Sequence, residues 1–80
     1  MRILTLFSRP GCHLCDDLAE QLLPILNGRA QIQIVNIDGN LELKKQYGLR
    51  IPILATEDRE LSGYPLDKEA VEEYLATLDA

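Results

Sequence analysis

The stretch that decides the reading is "FSRPGCHLCDDL", Phe7–Leu18. It holds both cysteines of the chain, Cys12 and Cys15, and the only histidine, His13, stands between them. Cysteines at that spacing serve as half of a zinc site, as a small structural disulfide or as a redox couple. Upstream, "RILTLFS" (2–8) reads as a strand. Ile3, Thr5 and Phe7 point one way and Leu4 and Leu6 the other, so both faces are largely apolar. Such a strand is expected in the middle of a sheet, covered on both sides. "RPG" stops it. Downstream the period changes. Leu14, Leu18, Leu22 and Leu26 recur every fourth residue, and Ala19, Leu23 and Ile25 widen the stripe of an amphipathic helix. Asp16 and Asp17 lie in its first turn, where the dipole favours negative charge. Asn27-Gly28 ends it, with Gly28 free to take the left-handed cap. Pro24 removes one helical hydrogen bond and is expected to kink or shorten the last turn.

Further along, "QIQIVNID" (31–38) reads as a second strand, half-exposed at first and apolar on both faces at Val35 and Ile37. Strand, helix, strand with short connections is a βαβ unit with a right-handed crossover. Asn40 is placed to cap a short helix, Leu41 to Tyr47, with Lys44 and Lys45 near its C-terminal end and Gly48 as its cap. "RIPILAT" (50–56) carries Pro52 where a strand start or edge tolerates it. "TEDRE" makes a tight connection and "ELS" (60–62) returns as a hairpin partner. After "GYP", Asp67 caps a last helix whose stripe is Ala70, Val71, Tyr74, Leu75 and Leu78. The order is β-α-β-α-β-β-α, and one sheet with helices on both faces buries every stripe.

Eighty residues make one domain near the low end for independent folding, hiding roughly 60–65% of the unfolded surface. A composition that is 46% hydrophobic supplies the core this requires. Thirteen acidic against eight basic residues, a net charge of −5, argue against nucleic acid, which calls for a basic stripe. No run approaches the roughly 18 apolar residues of a membrane span. "ILTLF" (3–7) is too short for a secretory h-region and no small-residue cleavage site follows. The expected location is the cytoplasm, where lasting structural disulfides are uncommon.

The element order, with Cys-x-x-Cys at the first strand-helix junction, resembles the thioredoxin-like fold, and more closely the glutaredoxins. Their aromatic-Ser-Lys-x-x-Cys-x-x-Cys signature is similar to "FSRPGCHLC", with Arg9 in place of the lysine. Their cis X-Pro motif before the third strand is similar to Ile51-Pro52. The resemblance implies an α/β fold with a four-stranded mixed sheet and a disulfide reductase with no bound cofactor. It also implies Arg9, Ile51, cis Pro52, Gly63 and Asp67 at a substrate or glutathione site. Two places differ. The family's middle pair is Pro-Tyr, here His13-Leu14. Its glycine pair followed by an aspartate is reduced to "SGYPLD" (62–67), where Gly63 fits one glycine, Tyr64 does not fit the other, and Asp67 falls a residue or two late. Within that family the sequence looks most similar to the small bacterial glutaredoxin-like proteins with "GCHLC"-type sites.

Disulfide exchange needs a thiolate with access to a substrate sulfur. A helix N-terminus favours an anion through its unpaired N–H groups and dipole. Cys12 sits there as the expected nucleophile, and Cys15 lies about one turn inside as the resolving thiol. His13 either faces water or, as imidazolium, tunes the couple. Arg50 is a second candidate for an anionic substrate. A zinc site takes about four ligands, which one chain of this composition does not supply at one place. A metal or iron–sulfur cluster shared by the Cys-x-x-Cys pairs of two chains stays open as an alternative, as does a module that only docks on a partner. A purely structural staple across so short a loop constrains the unfolded chain little. The expected substrates are a disulfide-containing protein or a glutathione mixed disulfide. Glutathione or a partner protein is the expected reductant, and a monomer the expected state.

Overall fold

The computed structural model describes residues 2–78. The elements follow the order β1 (Arg2–Ser8), α1 (His13–Leu26), β2 (Ala30–Asn36), a 3-10 turn (Ile37–Gly39), α2 (Leu41–Tyr47), β3 (Ile53–Ala55), β4 (Glu60–Ser62) and α3 (Lys68–Leu78). The sheet order is β2-β1-β3-β4. β1 pairs in parallel with β2 from Arg2↔Ala30 to Ser8↔Asn36, and antiparallel with β3 at Thr5↔Ala55, Leu6↔Leu54 and Phe7↔Ile53. β3 and β4 form the expected hairpin. Thr56 fastens its connection by accepting the N–H groups of Asp58 and Arg59, 3.1 Å each.

One face of the sheet is covered by α1 and α3. Leu4, Leu6 and Leu54 from the strands meet Leu18, Leu22 and Leu26 from α1 and Val71 and Leu75 from α3. Each fully buried leucine contributes about 1.5–3 kcal/mol by leaving water. The other face is covered by α2 and the 3-10 turn, through Ile37, Tyr47 and Ile53 with half-buried Phe7, Leu43 and Ile51. Phe7 and Tyr47 stack at 4.2 Å between ring centroids. α2 spans only seven residues, so it cannot cover the whole face. Ile3, expected under cover on both sides of a central strand, is therefore 47% exposed.

Four local expectations change. The buried row of α1 is Cys15, Leu18, Leu22 and Leu26, while Leu14 and Leu23 are exposed. A strict every-fourth row drifts about 40° per step around a 3.6-residue helix; starting the row with a three-residue step, Cys15 to Leu18, keeps it on the sheet. Pro24 does not shorten the helix, which runs to Leu26. Pro24 is exposed, so the carbonyl it leaves unpaired faces water, and Asn27 N–H continues the ladder to Leu23 O at 3.2 Å. The left-handed C-cap is Asn27 (φ 46), with Gly28 (φ 79) following in the same region. Finally, β2 is an edge strand. It ends at Asn36, whose side chain accepts Asp38 N–H at 2.9 Å and so starts the 3-10 turn. Ile37 is thereby buried beneath α2 rather than extended, and Ile34 is left 64% exposed at the edge.

The other caps form as the sequence indicates. Asn40 accepts Leu43 N–H at 3.2 Å, and Asp67 accepts Ala70 N–H at 3.1 Å. Gly48 closes α2 in right-handed rather than left-handed geometry. On α3, Val71 and Leu75 are buried and Ala70 and Tyr74 half-buried. The side chain of Leu78, expected on the same stripe, lies outside the described residues. Among the described residues no helix is long and apolar enough to cross a membrane.

Candidate functional site

The Cys-x-x-Cys loop is built by the end of β1 and the start of α1. Ser8, the last strand residue, is buried. Gly11 turns the chain in the left-handed region (φ 78), where a side chain is disfavoured. Cys12 N–H bonds to Arg9 O at 3.3 Å, closing the turn. Cys12 is then extended (φ −85, ψ 101) and is the N-cap of α1, and its carbonyl accepts Asp16 N–H at 3.2 Å. Its Sγ accepts the N–H of Cys15 at 3.2 Å. This is the place a serine or aspartate oxygen takes in an ordinary cap, and a negative sulfur there gains both a hydrogen bond and the helix dipole.

Cys12 and Cys15 are joined as a disulfide, with Cα atoms 5.2 Å apart. Their surroundings differ sharply. Cys15 is 2% exposed, at the head of the buried row of α1, whereas Cys12 is half-buried and His13 exposed. An incoming group therefore meets Cys12 first. Ile51–Pro52 is a cis peptide and Pro52 is fully buried. Ile51 N–H is already committed to Tyr47 O at 3.0 Å.

The two candidate cations are each held by a carboxylate. Arg9 bonds Asp38 through Nε and Nη2, both at 3.2 Å to Oδ1. Arg50 pairs with Glu60 through Nη2 and lies over the Tyr47 ring at 5.7 Å. Asp67, besides capping α3, donates its N–H to Ser62 Oγ at 2.9 Å. Gly63 has room for a Cβ, which would meet Ile53 Cδ1 and Pro52 O at 3.9 Å. Ser8, Arg9, Pro10, Ile34 and Asn36 line a hollow of about 240 Å3 beside the Cys-x-x-Cys loop. Among the described residues no group of three or more His, Cys, Asp or Glu could hold a metal ion.

Two partners were not foreseen. Asp38 reaches Arg9 across 29 residues, and Tyr64 OH donates to Asp17 Oδ2 at 2.6 Å across 47. No local pattern announces pairs so distant in sequence. The second pairing raises the Tyr64 pKa above its ordinary 10.0, through the hydrogen bond to Asp17 first, then desolvation and the carboxylate charge.

This architecture, a four-stranded mixed sheet with Cys-x-x-Cys heading the first helix, is that of the thioredoxin-like fold. Residues 3–76 match the model of the glutaredoxin-like domain (DUF836), and the chain belongs to that family. It is similar to the X-ray structure of protein XcR50 from X. campestris, at 36% identity and a TM-score of 0.70, over 92% of this chain and 96% of that one. It shares the fold of thioredoxin 1 from Thermosipho africanus (15% identity, TM-score 0.61, 98% and 99% covered). The same holds for oxidised thioredoxin from Plasmodium falciparum (12%, 0.56, 98% and 81%). A search of curated proteins finds no match. The fold, the family and a Cys-x-x-Cys pair at disulfide distance together point to redox function.

Proposed function

We propose that the protein is a thiol–disulfide oxidoreductase of the cytoplasm, with Cys12 as nucleophile and Cys15 as resolving thiol. In the reduced protein the Cys12 thiolate attacks one sulfur of a substrate disulfide, and the other substrate sulfur leaves as a thiolate that takes up a proton. Cys15 then loses its proton and attacks Cys12 Sγ. The second substrate thiol leaves and the 12–15 disulfide closes. Two electrons pass from the dithiol to the substrate, and an external thiol, glutathione or a protein dithiol, reopens the pair. The substrate is a protein disulfide or a glutathione mixed disulfide, and no bound cofactor is required.

The observation that carries this reading is the hydrogen bond from Cys15 N–H to Cys12 Sγ at the N-cap of α1, with Cys15 buried behind it. A thiolate is the reactive species, and that position favours it. Reduced protein mixed with the small neutral disulfide bis(2-hydroxyethyl) disulfide tests the cycle. Wild type should release two thiols per protein and recover the 12–15 disulfide. Cys15→Ser should stop at a mixed disulfide on Cys12, visible by mass, and Cys12→Ser should release none. Full activity in Cys12→Ser overturns the assignment.

A further inference from the structure

Arg9 is rooted in the redox loop itself, since its carbonyl holds Cys12 N–H at 3.3 Å. Its guanidinium is the cation carried by that loop that could draw an anionic substrate, yet two of its nitrogens are spent on one oxygen of Asp38. Asp38 is fixed in turn. It belongs to the 3-10 turn after β2, and Asn36 Oδ1 accepts its N–H at 2.9 Å. Arg50, the other candidate cation, is matched by Glu60. Lys44 and Lys45 stand on α2, across the sheet from α1. On α1 itself Asp16 is exposed and Asp17 half-buried, just beyond the cysteines. Charges carried by this loop and helix therefore sum to a negative field once Arg9 is neutralised. A disulfide carrying several carboxylates approaches such a surface against that field, whereas a neutral or basic one does not.

We infer that Asp38 is a specificity-determining residue: by holding Arg9 it turns the site away from anionic disulfides and towards disulfides on neutral or basic carriers. This rests on the redox reading above. The side chains of Arg9 and Asp38 are 36% and 43% exposed, so the effect is that of a surface pair, modest and sensitive to salt.

The test is single-turnover oxidation of the reduced protein, in which one dithiol and one disulfide give the 12–15 disulfide and two thiols. It compares glutathione disulfide, which is anionic, with bis(2-hydroxyethyl) disulfide, which is neutral. The readout is the ratio of the two rate constants, because a change in the reactivity of Cys12 moves both and cancels. In Asp38→Asn at low ionic strength the ratio should rise about two- to fivefold. Asp38→Glu should keep the wild-type ratio. Adding Arg9→Gln to Asp38→Asn should remove the gain, and salt near 1 M, where the screening length is about 3 Å, should shrink it towards nothing. A ratio unmoved in Asp38→Asn overturns the inference, and so does a gain that survives Arg9→Gln. If wild type does not oxidise with the neutral disulfide at all, the redox reading itself fails and this inference falls with it. Oxidation by the neutral disulfide with an unmoved ratio sinks the role of Asp38 alone.

Discussion

The N-cap position of Cys12 makes a prediction that is independent of any substrate. Cys12→Ser and Cys12→Ala both abolish the disulfide and both leave Cys15 as a free thiol, so the difference between them isolates the cap. In the structure the acceptor of Cys15 N–H is the side chain of residue 12, at 3.2 Å. A serine hydroxyl can take that role and an alanine methyl cannot. Replacing an N-cap serine with alanine costs about 1 kcal/mol, within a range of roughly 0.5–2. For a domain of this size 1 kcal/mol shifts Tm by roughly 4–8 °C. The serine variant should therefore melt about that much higher than the alanine variant, followed by circular dichroism, and its Cys15 amide should exchange hydrogen more slowly. Equal Tm values with equal exchange at Cys15 would mean the amide is not held by residue 12, and the thiolate argument for Cys12 would lose its basis. The gap also sets a floor for the functional effect. Hydrogen bonds to charged groups are worth about 1.5–3 kcal/mol, against roughly 1 for neutral ones, so a thiolate should gain more from that amide than serine does.

Leu22 is fully buried between helix and sheet, so Leu22→Ala should cost about 2–5 kcal/mol by lost transfer energy and an unfilled cavity; a urea midpoint close to wild type would contradict the packing. Tyr64 should ionise above its ordinary 10.0 by ultraviolet titration, and Asp17→Asn should bring it down. The sign for stability follows: the folded state keeps this proton longer than the unfolded chain, so the contribution is complete below pH 10 and is lost as pH rises through the folded-state pKa. A Tyr64 midpoint unaffected by Asp17→Asn argues against the contact. Asp67 separates a cap from a ligand. Asp67→Asn keeps a good capping side chain and should keep Tm, while Asp67→Ala should lose about 1 kcal/mol. If Asp67→Asn weakens glutathione disulfide reduction at unchanged Tm, the carboxylate also meets substrate.

What could be read in the chain beforehand was whatever is local. The strand-to-helix switch at Cys12, the caps at Asn40 and Asp67 and the hairpin at "TEDRE" depend on side chains within a few residues of one another, and each formed where the residues indicated. Two local details went otherwise, Pro24 inside α1 and the left-handed cap at Asn27, and the remaining errors arose where the deciding geometry lay beyond the local pattern. Leu14 has the right spacing for the stripe but lies one step too far around the helix to reach the sheet. Ile34 has the pattern of a covered strand, but the sheet order leaves β2 with one neighbour. At the site, the cysteines and Pro52 could be picked out by type and motif. That Arg9, Arg50 and Asp67 are already engaged, by Asp38, Glu60 and the head of α3, depends on tertiary placement.

The asymmetry of the cysteine pair bears on the reverse half of the proposed cycle, in which an external thiolate reopens the 12–15 disulfide. Two considerations pull in opposite directions. Attack on Cys15 would expel the Cys12 thiolate, the better leaving group because the Cys15 amide and the helix dipole stabilise it, and a lower-pKa thiol leaves faster. Attack on Cys12 expels the less stabilised Cys15 thiolate. Leaving-group preference changes a rate by a finite factor. Access is the stronger constraint, since displacement needs the incoming sulfur in line with the bond it breaks. Cys15 is 2% exposed, beneath Cys12 and in the same buried row as Leu18, so that line is closed unless the first turn of α1 opens. Access therefore overrides leaving-group quality, and in the proposed cycle Cys12 is the sulfur that meets the partner in both directions. On that proposal, the helix turn whose amide bonds Cys12 Sγ also buries Cys15 and keeps it from competing for substrate.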